Sequence, residues 1–173
     1  MGSITRTALV LACSAALAGG MAVPASAADT TTTVTVETGL LSIAAPASAV
    51  LSTGTPGVNS TVTVGNTTVT DARAGVAGWS ATVALPALTG DARPAQTIPT
   101  TAATYLAATV TPTGTSTLAT PATGTDLTSA KVSQSASAVS GNNSATWTAA
   151  LTVPIPAQVL ADTYSALMTQ SVS

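Results

Sequence analysis

Trp79 and Trp147 are the only tryptophans in the chain, and each opens a run in which apolar and polar or small residues alternate. The first reads Trp79-Ser80-Ala81-Thr82-Val83, the second Trp147-Thr148-Ala149-Ala150-Leu151-Thr152-Val153. A period of two is the signature of a strand with one buried and one wet face. The chain has no Phe and only two Tyr. The indoles are therefore the largest apolar groups available to a core or to a binding face. Side-chain parity groups Trp79 with Ala81, Val83 and Leu85, and Trp147 with Ala149 and Leu151. Both rings point with the apolar set, which predicts burial, because an indole packed among small residues removes the most apolar area from water. The alternative is a flat aromatic platform for sugar rings.

Other alternating runs lie on either side, with turn residues between them. Strands are expected at Thr32 to Glu37, Leu40 to Ala45, Gly78 to Leu85, Ala102 to Pro112, Ala130 to Val139, Ala145 to Val153 and Tyr164 to Val172. Gly65-Asn66 between Thr61–Val64 and Thr67–Thr70 predicts a tight hairpin. Ser52 to Asn59, Leu88 to Pro99 and the Thr/Gly/Pro tract Thr113 to Thr125 are expected to be loops, Gly141-Asn142-Asn143 a turn, and Gln158 to Asp162 at most one helical turn. Abundant Thr supports this reading, since its branched Cβ suits a pleated surface. The expected fold is an all-β, Ig-like β-sandwich in a single domain.

Residues 1–27 read as a cleavable export signal: Arg6, then the uncharged stretch Thr7 to Val23, then the small-x-small site Ala25-Ser26-Ala27. This places the domain at 28–173 and the mature chain outside the cell, without a membrane span. Val10-Leu11-Ala12-Cys13 loosely resembles a lipobox, but the apolar run between Arg6 and Cys13 is very short. An ordinary signal-peptide cysteine is expected there rather than a lipid anchor, which leaves the mature chain without a thiol.

Past the signal, the cations Arg73, Arg93 and Lys131 face Asp29, Glu37, Asp71, Asp91, Asp126 and Asp162. Three scattered cations make no electrostatic footprint for nucleic acid. The chain has no His, which removes His-dependent triads and His metal sites. Asp71 and Asp91, both near the first Trp strand, are the best placed carboxylates for glycoside chemistry, although each also reads as a turn residue. Asp71 and Arg73, two apart, would share a face of a strand and pair there. No enzyme activity, cofactor or metal is expected.

The order of these segments is similar to the WxL domain, a surface module of Gram-positive bacteria. Asp71-Ala72-Arg73 with Gly78-Trp79 resembles its first motif. Trp147 with Leu151-Thr152-Val153-Pro154, followed by Asp162-Thr163-Tyr164-Ser165-Ala166 and Thr169, resembles its second. The likeness runs from about Thr31 to the end. Ala81 and Ala149 stand where that family has Leu, and the Ala/Thr/Val-rich, lysine-poor composition suggests an actinobacterial type. The resemblance implies a secreted, non-catalytic module bound non-covalently to peptidoglycan or another envelope polymer, with Asp71, Arg73, Trp79, Trp147 and Tyr164 as wall-binding or motif candidates. Other surface proteins are further possible partners. The competing expectation is a structural or adhesive subunit that assembles through strand edges.

Overall fold

The structure is a computed structural model that describes residues 31–108, 110–121 and 124–173. The export signal expected over residues 1–27, with Cys13, lies outside the described residues. The chain divides into the units Met1–Val34 and Thr35–Ser173. Of the first, the described residues 31–34 form no strand. The second is all-β and antiparallel, and its described residues contain no helix. Accordingly, no helix among the described residues is long and apolar enough to cross a membrane.

The organising element is β9 (Lys131–Pro154), a 24-residue strand. Its second half pairs along one edge with β2 (Asn59–Asp71), which carries β1 (Leu41–Ala44) on its far side. Its first half pairs with β3 (Trp79–Ala84), which carries β11 (Thr169–Val172). Along the other edge of β9 run β6 (Thr104–Ala107) and β7 (Thr111–Ala119). The sheet order is therefore β1-β2-β9-β3-β11, with β8 (Gly124–Thr125) on β6. A three-stranded sheet of β10 (Tyr164–Ser165), β4 (Leu88–Gly90) and β5 (Thr97–Ile98) completes the fold. Residues Ala138 and Gly141 of β9 have φ of 48° and 72°, left-handed values that break the regular run of the strand between its two sets of partners.

The core is aliphatic apart from the two indoles and Tyr105. Val64, Val69, Ala81, Val83, Ala145, Ala149, Leu151 and Val153 are buried with Trp79 and Trp147, as the parity of the two Trp runs requires. Several local expectations are corrected. Gly65-Asn66 does not turn a hairpin: β2 is continuous, and the pair stands opposite Thr148 as a bulge between Val64↔Ala149 and Thr67↔Trp147. The bulge switches the inward parity from even to odd, which keeps Val64, Thr67 and Val69 all inside.

Gly141-Asn142-Asn143 is likewise a bend within β9, because β7 pairs on both sides of it, at Ser140 and Ser144, and β2 pairs from Asn143 onward. Most of the Thr113 to Thr125 tract is strand β7, recruited by pairing to β9 despite its loop-like composition. The Leu88 to Pro99 excursion contains the β4–β5 pair. Thr32 to Glu37, expected to be a strand, forms none.

Candidate functional site

Asp71, Arg73 and Trp79 come together in one network, and its fourth member is Asn143. Arg73 donates from Nε to Asp71 Oδ1 at 2.9 Å and from Nη2 to Oδ2 at 3.0 Å, a bidentate pair. The same Nη2 donates to the carbonyls of Ala77 and Gly78, so the guanidinium closes the 72–78 loop just ahead of Trp79. Asn143 Nδ2 donates to Asp71 Oδ2 at 3.2 Å, and Trp79 Nε1 donates to Asn143 Oδ1 at 3.0 Å. Asp71 and Asn143 are buried and Arg73 is partly exposed. Asn143 is missing from the sequence candidates because Gly141-Asn142-Asn143 reads as a turn, although its odd parity groups it with Ala145, Trp147 and Ala149.

The Arg73 guanidinium, with the Arg73 N–H and Asn143 adding hydrogen bonds against the burial cost, holds the Asp71 carboxyl at a pKa of about 2. A depressed pKa contributes stability that is complete above the unfolded value and is lost as pH falls through the folded one. Stability is therefore expected to fall between about pH 4 and pH 2, by about 1–2 kcal/mol once solvent access to Arg73 is discounted. Urea titrations across that range should show a smaller loss in Asp71→Asn than in the wild type, the remainder coming from other depressed carboxylates such as Asp162. An equal acid loss in both proteins would remove Asp71 as its source.

Trp147 lies apart from this network. It is 1% exposed, against 3% for Trp79. A ring with that little surface cannot present a face to a sugar, so neither indole is a binding platform in the folded chain. The Trp147 Nε1–H is buried without a hydrogen-bond partner among the described residues. Burial raises the Tyr105 pKa, and Trp147 and Thr67 oppose that rise. The Tyr105 hydroxyl and the Thr67 hydroxyl both donate to Gln170 Oε1, at 3.4 and 3.1 Å, which ties β6 and β2 to β11.

Tyr164, the last candidate, is half-buried in the wall of a groove, with its hydroxyl donating to the Leu160 carbonyl at 2.8 Å. The groove has a volume of about 730 Å3 and runs between residues 45–56 and 159–170 over a floor of buried aliphatic side chains. Asp162 sits at its side. Burial works against that carboxylate, but the N–H groups of Ala92, Thr163 and Arg93 outweigh it, and its pKa lies below the usual range. Asp91 accepts a hydrogen bond from Ser165. The two carboxylates singled out for glycoside chemistry thus belong to separate networks, Asp71 with Arg73 and Asn143, Asp91 with Ser165.

The feature least visible in the sequence is the outer face of the main sheet. Directly paired residues project to the same face. Ser42, Thr70, Ser144 and Thr113 therefore form one row across β1, β2, β9 and β7. Ala44, Thr68, Thr146 and Thr111 form the next. Further along β9, Thr61, Thr152, Thr104 and Thr125 form a third row across β2, β9, β6 and β8. Hydroxyls bond within the rows, Thr68 to Thr146 at 2.9 Å and Thr113 to Ser144 at 2.7 Å. The strands that carry a row lie about 4.8 Å apart, and adjacent rows are separated by about 6.8 Å. None of the three rows contains a charged residue.

No protein-family model matches the chain, and no curated protein matches it in sequence.

Proposed function

We propose that this chain is a secreted, non-catalytic cell-surface module that attaches non-covalently to the cell wall, with peptidoglycan as the polymer. The observation that carries the reading is the uncharged, three-row hydroxyl face. Such a surface meets a glycan through many individually weak hydrogen bonds, each worth about 0.5–1.5 kcal/mol. The segment order shared with the WxL domain supports the same reading. The engagement of Asp71, Asp91 and Asp162 in internal hydrogen bonds supports a binding role over a catalytic one.

Purified protein is expected to sediment with isolated peptidoglycan and to be released by chaotrope without bond cleavage. Thr70→Glu combined with Thr113→Glu places charge on two exposed positions of one row. Retention should fall about tenfold or more, the equivalent of one to two hydrogen bonds, while the melt is unchanged, as is usual for surface positions. Protein that stays wholly in the supernatant overturns the reading, and so does a doubly substituted chain retained as well as wild type.

A second reading, a subunit that assembles through strands, is favoured by one specific observation: Thr32 to Glu37 has the composition of a strand and forms none. The edge of β7 is not the route. Pro112 lacks an N–H, and Gly114 at φ 72° breaks the ladder, both devices that blunt an edge.

A further inference from the structure

We propose that the groove beside Tyr164 accepts the Thr32–Glu37 segment of a second copy of this chain as an added strand. The inference rests on the assembly reading and is independent of wall binding. The donor segment alternates Thr with Val, so Val34 and Val36 share a face, and they are 88% and 76% exposed. Two β-branched side chains on one face of an extended, unpaired stretch are an apolar edge without a partner.

The acceptor has the complementary form. Its floor is Val64, Leu85, Leu88, Ile98 and Leu151. Its banks are residues 46–51 and 166–168, which belong to no strand and make no backbone hydrogen bonds among the described residues. Backbone groups without partners along the banks and an apolar floor between them are the two features that strand addition uses. The one carboxylate at the groove, Asp162, is already held by backbone N–H groups, and the donor is uncharged up to Glu37.

Chain direction selects a second copy over the same one. Thr38 Oγ1 donates to the Arg73 carbonyl, Gly39 N–H to the Ala72 carbonyl, and Ala72 N–H to the Leu40 carbonyl. These bonds continue the β1–β2 ladder. They hold residues 38–40 alongside Ala72 and Arg73, so closely that a Cβ on Gly39 would lie 2.7 Å from Ala72. The groove begins at Ala45, past the opposite end of β1. Residue 37 is thus about 26 Å of extended chain from the groove and heads away from it. A donor from another copy needs no reversal.

The test uses two pairs of substitutions in the purified full-length protein, each at exposed positions so that the melt stays that of wild type. Val34→Asp with Val36→Asp disables the donor; Val50→Asp with Leu167→Asp disables the groove rim. Sedimentation velocity should show wild type associating with rising concentration, each variant alone monomeric, and an equimolar mixture stopping at two copies. A labelled peptide of the sequence Thr31–Glu37 should bind the donor-disabled protein and bind the rim-disabled one at least about tenfold more weakly. A donor-disabled chain that associates like wild type, a mixture that stays monomeric, or a peptide that ignores the groove each overturns the proposal. Wall retention is scored on the same variants, and the donor-disabled chain should keep it, which separates failure of assembly from failure of wall binding.

Discussion

Trp147→Ala is expected to lower the unfolding free energy by about 3–5 kcal/mol, a large share of what a domain of this size possesses. The ring is buried at the pairing position Thr67↔Trp147, beside the bulge, among Ala and Val side chains too short to close over the space it would leave. Trp79→Ala should cost a similar amount. Phenylalanine then separates the two positions. At 147 the indole N–H is unpartnered, so its removal forfeits no hydrogen bond. At 79 the N–H donates to Asn143, so Phe leaves a buried acceptor short of a donor and should cost about 1–2 kcal/mol more than at 147. Denaturant midpoints of the four variants check this. Equal costs for Phe at both sites would mean that the Trp79–Asn143 bond contributes nothing.

Asp71→Ala is expected to destabilise the fold by about 3 kcal/mol or more, because removing one member of a buried, hydrogen-bonded pair strands the rest. Asn143 would lose an acceptor, and Arg73 would keep only the Ala77 and Gly78 carbonyls. Arg73→Ala should cost less, since Arg73 reaches solvent, but it would free the 72–78 loop that sets the entry to Trp79. A double-mutant cycle between Asp71→Ala and Trp79→Phe tests whether the network acts as a unit, with a coupling of about 0.5–3 kcal/mol expected. Additive costs would reduce the network to independent bonds. Resistance of the fold to Asp71→Ala would make the pair a surface ornament.

The Asp-x-Arg and Trp elements that resemble a surface-module motif build the scaffold. The bidentate pair closes a loop, and the loop delivers an indole to the core. The face on which the proposed binding rests is built from groups that no motif marks. Thr113 lies in a tract whose composition predicts a loop, and Ser144 stands just ahead of the second Trp strand. They align in one row only because β7 and β2 both pair with β9. The Val34–Val36 segment shows the reverse case: its pattern is that of a strand, but a strand also requires a partner edge, and the segment pairs with none among the described residues.

Period-two alternation, β-branched composition and the parity of the two Trp runs decided that this chain is all-β, which residues face inward, and that the indoles lie in the core. These follow from side-chain volume and backbone stereochemistry within a few residues. What a run pairs with is a matter of distant neighbours. The same Gly65-Asn66 dipeptide serves as a hairpin turn or as a bulge, and only the unbroken length of β9 alongside it selects the bulge. Asn142 and Gly141 became a bend rather than a turn for the same reason. The hydroxyl rows and the groove are products of that pairing, because each assembles side chains from strands separated by tens of residues.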